Sequence, residues 1–80
     1  MVTPEQVKNY IEQHLECAHI NVVGDGQHFE ALIVSSLFGG KNRVQRHQLV
    51  YGVLGERMRE EIHALSMKTL TPEEYEEQRG

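Results

Sequence analysis

Two histidines, each placed just before a short apolar run, are the residues of this chain best suited to chemistry. His63 immediately precedes ALSMKT, and His28 immediately precedes FEALIVS. A neutral imidazole is a common ligand for transition metals, and it gains or loses its proton near neutral pH. Each residue also has a plainer reading, as a strand-start side chain hydrogen-bonded to backbone. His47 falls within an apolar helical face, where a buried structural role is expected, and His14 and His19 read as surface residues. Cys17 forms a Cys-x-His pair with His19, but two ligands at that spacing do not define a metal site. Its plainer reading is a small, partly buried residue at a helix end. A lone cysteine excludes an internal disulfide and a self-sufficient Cys-based zinc or iron–sulfur site, and it fits a reducing compartment. No nucleophilic triad or paired-carboxylate site can be assembled, so catalysis is not expected.

The second feature is charge. Lys41, Arg43 and Arg46 cluster around the start of a helix, a setting that suits phosphate, nucleic acid or the acidic surface of a partner. The plainer reading is ordinary surface charge. Arg57 and Arg59 follow, diluted by Glu56, Glu60 and Glu61. The formal net charge of −4 weighs against nonspecific nucleic-acid binding. Gly52-Val53-Leu54-Gly55 spells the GxxG of KH domains. In such a loop the middle residues face the nucleic-acid backbone, whereas Val53 and Leu54 look like core.

The elements that must position these residues can be read in order. Thr3-Pro4-Glu5-Gln6 is a helix start with the makings of a capping box. Val7, Tyr10, Ile11 and Leu15 then recur at helical spacing, which predicts a helix over residues 4–16. Residues 19–23 read as a strand, Gly24-Asp25-Gly26 as a turn, and residues 29–35 as a second strand, together an antiparallel hairpin. Residues 36–40 form a loop with room for a helical turn at Leu37 and Phe38. Asn42 caps the next helix, with Gln45 three residues on. Val44, Tyr51, Leu54 and Met58 are expected on its buried face, with His47 among them. Gly52 and Gly55 weaken it, so a break near Gly55 and a short third helix over 56–61 are expected. Residues 64–69 form a third strand, and Thr71-Pro72-Glu73-Glu74 opens a final helix.

The order is α-β-β-α-α-β-α: a single small α/β domain of the α+β type, residues 1–80, with a three-stranded mixed sheet. At 39% apolar and 25% charged residues the composition is that of a soluble domain. No apolar run is long enough to span a membrane and the chain opens directly on a helix, so a cytoplasmic, membrane-free, monomeric protein is expected. The segment between the second and third strands is long enough for a crossover, which lets those strands lie parallel. Parallel neighbours begin at the same end of a sheet. His28 and His63, 35 residues apart in the chain, would then share one rim. Phe29 points inward by alternation, so His28 points away from the core.

FEALIVSSLFGGKNRVQRHQLVYGVL, followed by IHALSMKTLTPEEY, resembles the BolA family, and the compact GDGQHF turn is most similar to its IbaG/YrbA-type branch. The resemblance runs from the first helix to about Glu77. It implies a fold similar to the class II KH arrangement and a partner, a monothiol glutaredoxin of the CGFS type. The pair would share a bridged 2Fe–2S cluster, with glutathione supplied through the glutaredoxin, and act in iron–sulfur trafficking or iron regulation. By the same resemblance the C-terminal ligand His falls on His63, and a second ligand, His or Cys, comes from the first hairpin turn. The longer loop of BolA proper is here cut to residues 24–27, and His28 is the one residue of either type that the turn provides. A second implied function, from the role of BolA proper, is nucleic-acid-binding transcriptional regulation through Lys41, Arg43 and Arg46. A third is a metal-independent adaptor.

Overall fold

The computed structural model describes residues 2–56, 62 and 64–79. Its elements are α1 (Pro4–His14), β1 (His19–Gly24), β2 (His28–Val34), a 3-10 turn (Ser36–Phe38), α2 (Arg43–Leu54), β3 (Ala64–Leu70) and α3 (Pro72–Arg79). The expected helix over 56–61 lies, beyond Glu56, outside the described residues, as does His63.

Each of these three helices starts on the same device. The N–H of Gln6 donates to Thr3 Oγ1 at 3.1 Å while the Thr3 N–H donates to Gln6 Oε1 at 2.9 Å. Asn42 and Gln45 repeat the exchange at 2.9 and 3.0 Å. Thr71 and Glu74 repeat it again at 3.2 and 2.8 Å. Each pair satisfies two backbone donors that a helix start otherwise leaves without partners. The first helix closes at His14, two residues short of its expected end, with Leu15 as its cap. The second closes at Leu54, where Gly55 adopts φ +56°, a conformation that costs a glycine nothing.

The sheet has the order β1-β2-β3. β1 and β2 pair antiparallel, with Ile20 beside Ile33 and Gly24 beside Phe29. β2 and β3 pair parallel, with His28 beside Ala64 and Val34 beside Leu70. Alternation sends Ile20, Val22, Phe29, Ala31 and Ile33 to one face, where they meet Val7, Ile11 and Leu15 of α1 and Val50 and Leu54 of α2. Phe38 and Ile62 complete this core. Burying a side chain of this size stabilises by ~1.5–3 kcal/mol, so a core this small depends on every member.

One expectation about α2 is corrected. Leu54 is buried, but Val44 is 64% and Tyr51 41% exposed, and Met58 lies outside the described residues. The buried edge is instead Val50 and Leu54, an i,i+4 pair, flanked by Leu49 and Val53. Apolar residues occur all around this helix, so their spacing alone selects no unique inward face.

Candidate functional site

His28 opens β2 at the rim where β2 and β3 begin together. Its position is set by the tight turn before it. Asp25 Oδ1 accepts the N–H of Gln27 and the N–H of His28, both at 2.9 Å, and the Asp25 N–H donates to the His28 carbonyl at 3.2 Å. These backbone donors hold the Asp25 carboxyl below its ordinary pKa. Gly24 has no room for a side chain, because a Cβ there would collide with the His28 carbonyl and would stand 2.8 Å from the Phe29 ring. The ring of Phe29 is 1% exposed, whereas His28 faces solvent, as alternation requires. The strand partner of His28 is Ala64, and the residue before Ala64 in the chain is His63, which lies outside the described residues.

The remaining candidates for metal chemistry are occupied otherwise. The thiol of Cys17 donates to the Leu15 carbonyl at 3.2 Å, and burial, with the nearby Glu12, pushes its pKa up. It stays protonated and is a poor ligand as it stands. His14 stacks on Tyr10 and His19 on Tyr75, with ring centroids 4.6 and 5.1 Å apart. Among the described residues no three His, Cys, Asp or Glu side chains gather around a common point that could hold a metal ion.

The basic start of α2 divides into two parts. Lys41 and Arg43 are exposed. Arg46 is turned inward, with its side chain 12% exposed, and fastens three elements together. Its Nε donates to the carbonyls of Phe38 and Lys41 at 3.1 and 2.9 Å. Nη1 donates to the Thr69 carbonyl at 3.1 Å and to Glu74 Oε1 at 2.7 Å, and Nη2 reaches Glu74 Oε2 at 3.3 Å. The Arg46 guanidinium holds the Glu74 carboxyl down at about 2. This forked pair ties α2 to β3 and α3. Sequence reasoning placed Glu74 at the start of the last helix but missed its second role: it serves α3 as a cap and Arg46 as a counter-ion at once, and the partner stands 28 residues away.

A groove of about 590 Å³ lies over this fastening, between the start of α2 and the second half of β3. Lys41, Arg43, His47 and Lys68 line it. His47 is half-buried, and burial, then the charge of Arg43, pushes its pKa down. Lys68 also escaped sequence reasoning, because nothing local marks a strand lysine as the neighbour of a helix start.

At the far end of α2, Leu54 is 0% exposed and Val53 packs against the core. The GxxG therefore does not present its middle residues to a nucleic-acid backbone.

Comparison with known proteins adds the lineage. The family model for BolA-like proteins matches residues 2–74. The chain belongs to the BolA family. It is similar to the acid stress protein IbaG of Escherichia coli K12, 38% identical over 71 residues that cover 88% of this chain and 84% of that one. It is 42% identical to the DNA-binding transcriptional regulator BolA of Haemophilus influenzae over 67 residues, 84% of this chain and 62% of that one. The structure of a BolA homologue from Coxiella burnetii superposes with a TM-score of 0.82 at 47% identity, covering 95% of this chain and 99% of that one. The fold of this BolA-family chain is thus the three-stranded mixed sheet with helices expected for it. No described helix is long and apolar enough to cross a membrane.

Proposed function

We propose that this BolA-family protein is a non-enzymatic accessory protein of iron–sulfur metabolism, pairing with a monothiol glutaredoxin and lending imidazole ligands to a shared 2Fe–2S cluster. The observation that carries the reading is the parallel register of β2 and β3. It sets the exposed His28 beside Ala64, the residue that follows His63 in the chain. His63 is the principal ligand in this proposal, and His28 the second.

The donor set fits a shared cluster rather than a resident one. A 2Fe–2S cluster takes four ligands, usually thiolates, with imidazoles able to replace two of them on one iron. Cys17 is partly buried with its thiol tied to backbone, which leaves imidazoles as this chain's contribution. The remaining ligands come from the partner's cysteine and its bound glutathione. Imidazole ligation raises a cluster's potential and makes it proton-sensitive. What this chain's residues do is present His28 in solvent on a turn whose backbone Asp25 holds by hydrogen bonds, where its imidazole would be open to a cluster ligand role.

The test is an anaerobic titration of the protein into cluster-loaded glutaredoxin, followed by visible circular dichroism. A new spectrum saturating at one protein per cluster, and lost in His63→Ala, is the expected outcome. A spectrum that does not change on addition of the protein would sink the proposal.

A further inference from the structure

The groove at the start of α2 has the makings of a second site, independent of the cluster reading. Its volume of about 590 Å³ falls in the range of small-molecule sites, ~300–1,000 Å³. Of the eight lysines and arginines in the chain, Lys41, Arg43, Arg46 and Lys68 line this one groove, although the formal net charge of the whole is −4. Such clustering costs repulsion that ordinary scattering of surface charge avoids. The carboxylate on the wall, Glu74, is already committed to Arg46, so that pair is a near-neutral, rigid floor. Lys41, Arg43 and Lys68 are exposed and, among the described residues, not ion-paired. Lys41 and Arg43 come from the entry to α2, and Lys68 comes from β3.

We propose that this groove binds a compact oligophosphate, a di- or triphosphate group, between Lys41, Arg43 and Lys68. Three cations from two parts of the fold match a ligand with several charges close together better than a single anion. His47 lines the groove beside them and can donate a ring N–H. A single strand of nucleic acid would want aromatic rings on which to stack its bases. The described lining holds no Phe, Tyr or Trp, so the phosphate group is the part of a ligand this groove is built to hold.

The probe is inorganic triphosphate, titrated calorimetrically into the whole protein at low salt, with orthophosphate and a twelve-nucleotide single-stranded DNA as separate arms. Saturable binding of one triphosphate is expected, weakened about tenfold or more in the double variant Lys41→Gln/Lys68→Gln and in Arg43→Gln. Lys8→Gln, a cation of α1, should leave it unchanged. Amide shifts in the unsubstituted protein, concentrated at residues 41–47 and 67–69, locate the site even if a variant folds poorly. Absence of saturable binding overturns the proposal. So does orthophosphate binding as tightly as triphosphate, or a loss in Lys8→Gln equal to that in the groove variants. DNA binding through these same lysines without triphosphate binding or competing would replace the proposal with a nucleic-acid site.

Discussion

At the scale of single residues, the turn before β2 and the middle of α2 respond to substitution in opposite ways. Gly24 sits against the His28 carbonyl and the Phe29 ring, so a methyl group there must displace the turn or a fully buried ring. Gly24→Ala is expected to cost ~1–3 kcal/mol, as overpacking does. A lower urea midpoint with an unchanged slope would show it. Gly52 lies within α2 with open space around its missing Cβ, so Gly52→Ala should instead stabilise by up to ~1 kcal/mol. Two glycines in one chain with opposite signs test whether contact, rather than residue type, decides. Glu74 supplies a pH dependence. Its carboxyl titrates at about 2 in the folded protein, against an ordinary value of 4.5. The folded state therefore binds this proton less readily than the unfolded chain. The stabilisation is fully present above about pH 4.5 and is lost as pH falls toward 2. Glu74→Gln should flatten that part of the acid limb in a melting-temperature series from pH 2 to 6, and an unaltered limb would count against the Arg46 pairing.

At the scale of elements, what was legible from sequence was whatever is local. The three capping boxes occupy four residues each, and their partners are neighbours in the chain, so Thr3, Asn42 and Thr71 announced their helices. Asn42→Ala should cost ~1 kcal/mol by removing the side-chain acceptor for the Gln45 N–H. The hairpin was legible for the same reason, because Gly24-Asp25-Gly26 closes it between two alternating runs. The inward face of α2 was not. Val44, Leu49, Val50, Tyr51, Val53 and Leu54 surround the helix, and only its place in the assembled core chooses Val50 and Leu54. The choice has a measurable consequence. Val50→Ala removes methyl groups from a 0% exposed position and should destabilise by ~1–3 kcal/mol, whereas Val44→Ala, at 64% exposure, should stay within ~0.5 kcal/mol. The Arg46–Glu74 fork was illegible in sequence for a different reason: it joins two elements that only the completed sheet brings together.

At the scale of the whole molecule, the common start of β2 and β3 was legible through topology and the groove was not. A long crossover between β2 and β3 lets them lie parallel, and parallel strands start together, so His28 and Ala64 share one end of the sheet. The groove depends on where Lys68 falls along β3 relative to the start of α2, a packing detail that no periodicity encodes. The same geometry separates the two surfaces. From Ala64, beside His28, to Lys68 is four residues of strand, ~13 Å at the usual rise. The Arg46–Glu74 pair is anchored at Thr69, one step further from the rim. Sites more than ~7–10 Å apart with no common partner act additively. Under both proposals, the effects of rim and groove substitutions should therefore dissociate. Lys41→Gln/Lys68→Gln should weaken triphosphate binding about tenfold or more and leave the circular dichroism of the mixed cluster complex intact. His28→Ala and His63→Ala should perturb that spectrum and leave the triphosphate isotherm within about twofold of the unsubstituted protein. Running both readouts on the four-residue combination closes the cycle. A coupling well above ~0.5 kcal/mol between the pairs would mean that the partner spans both surfaces, and that β3 is one continuous interface rather than a strand with a site at each end.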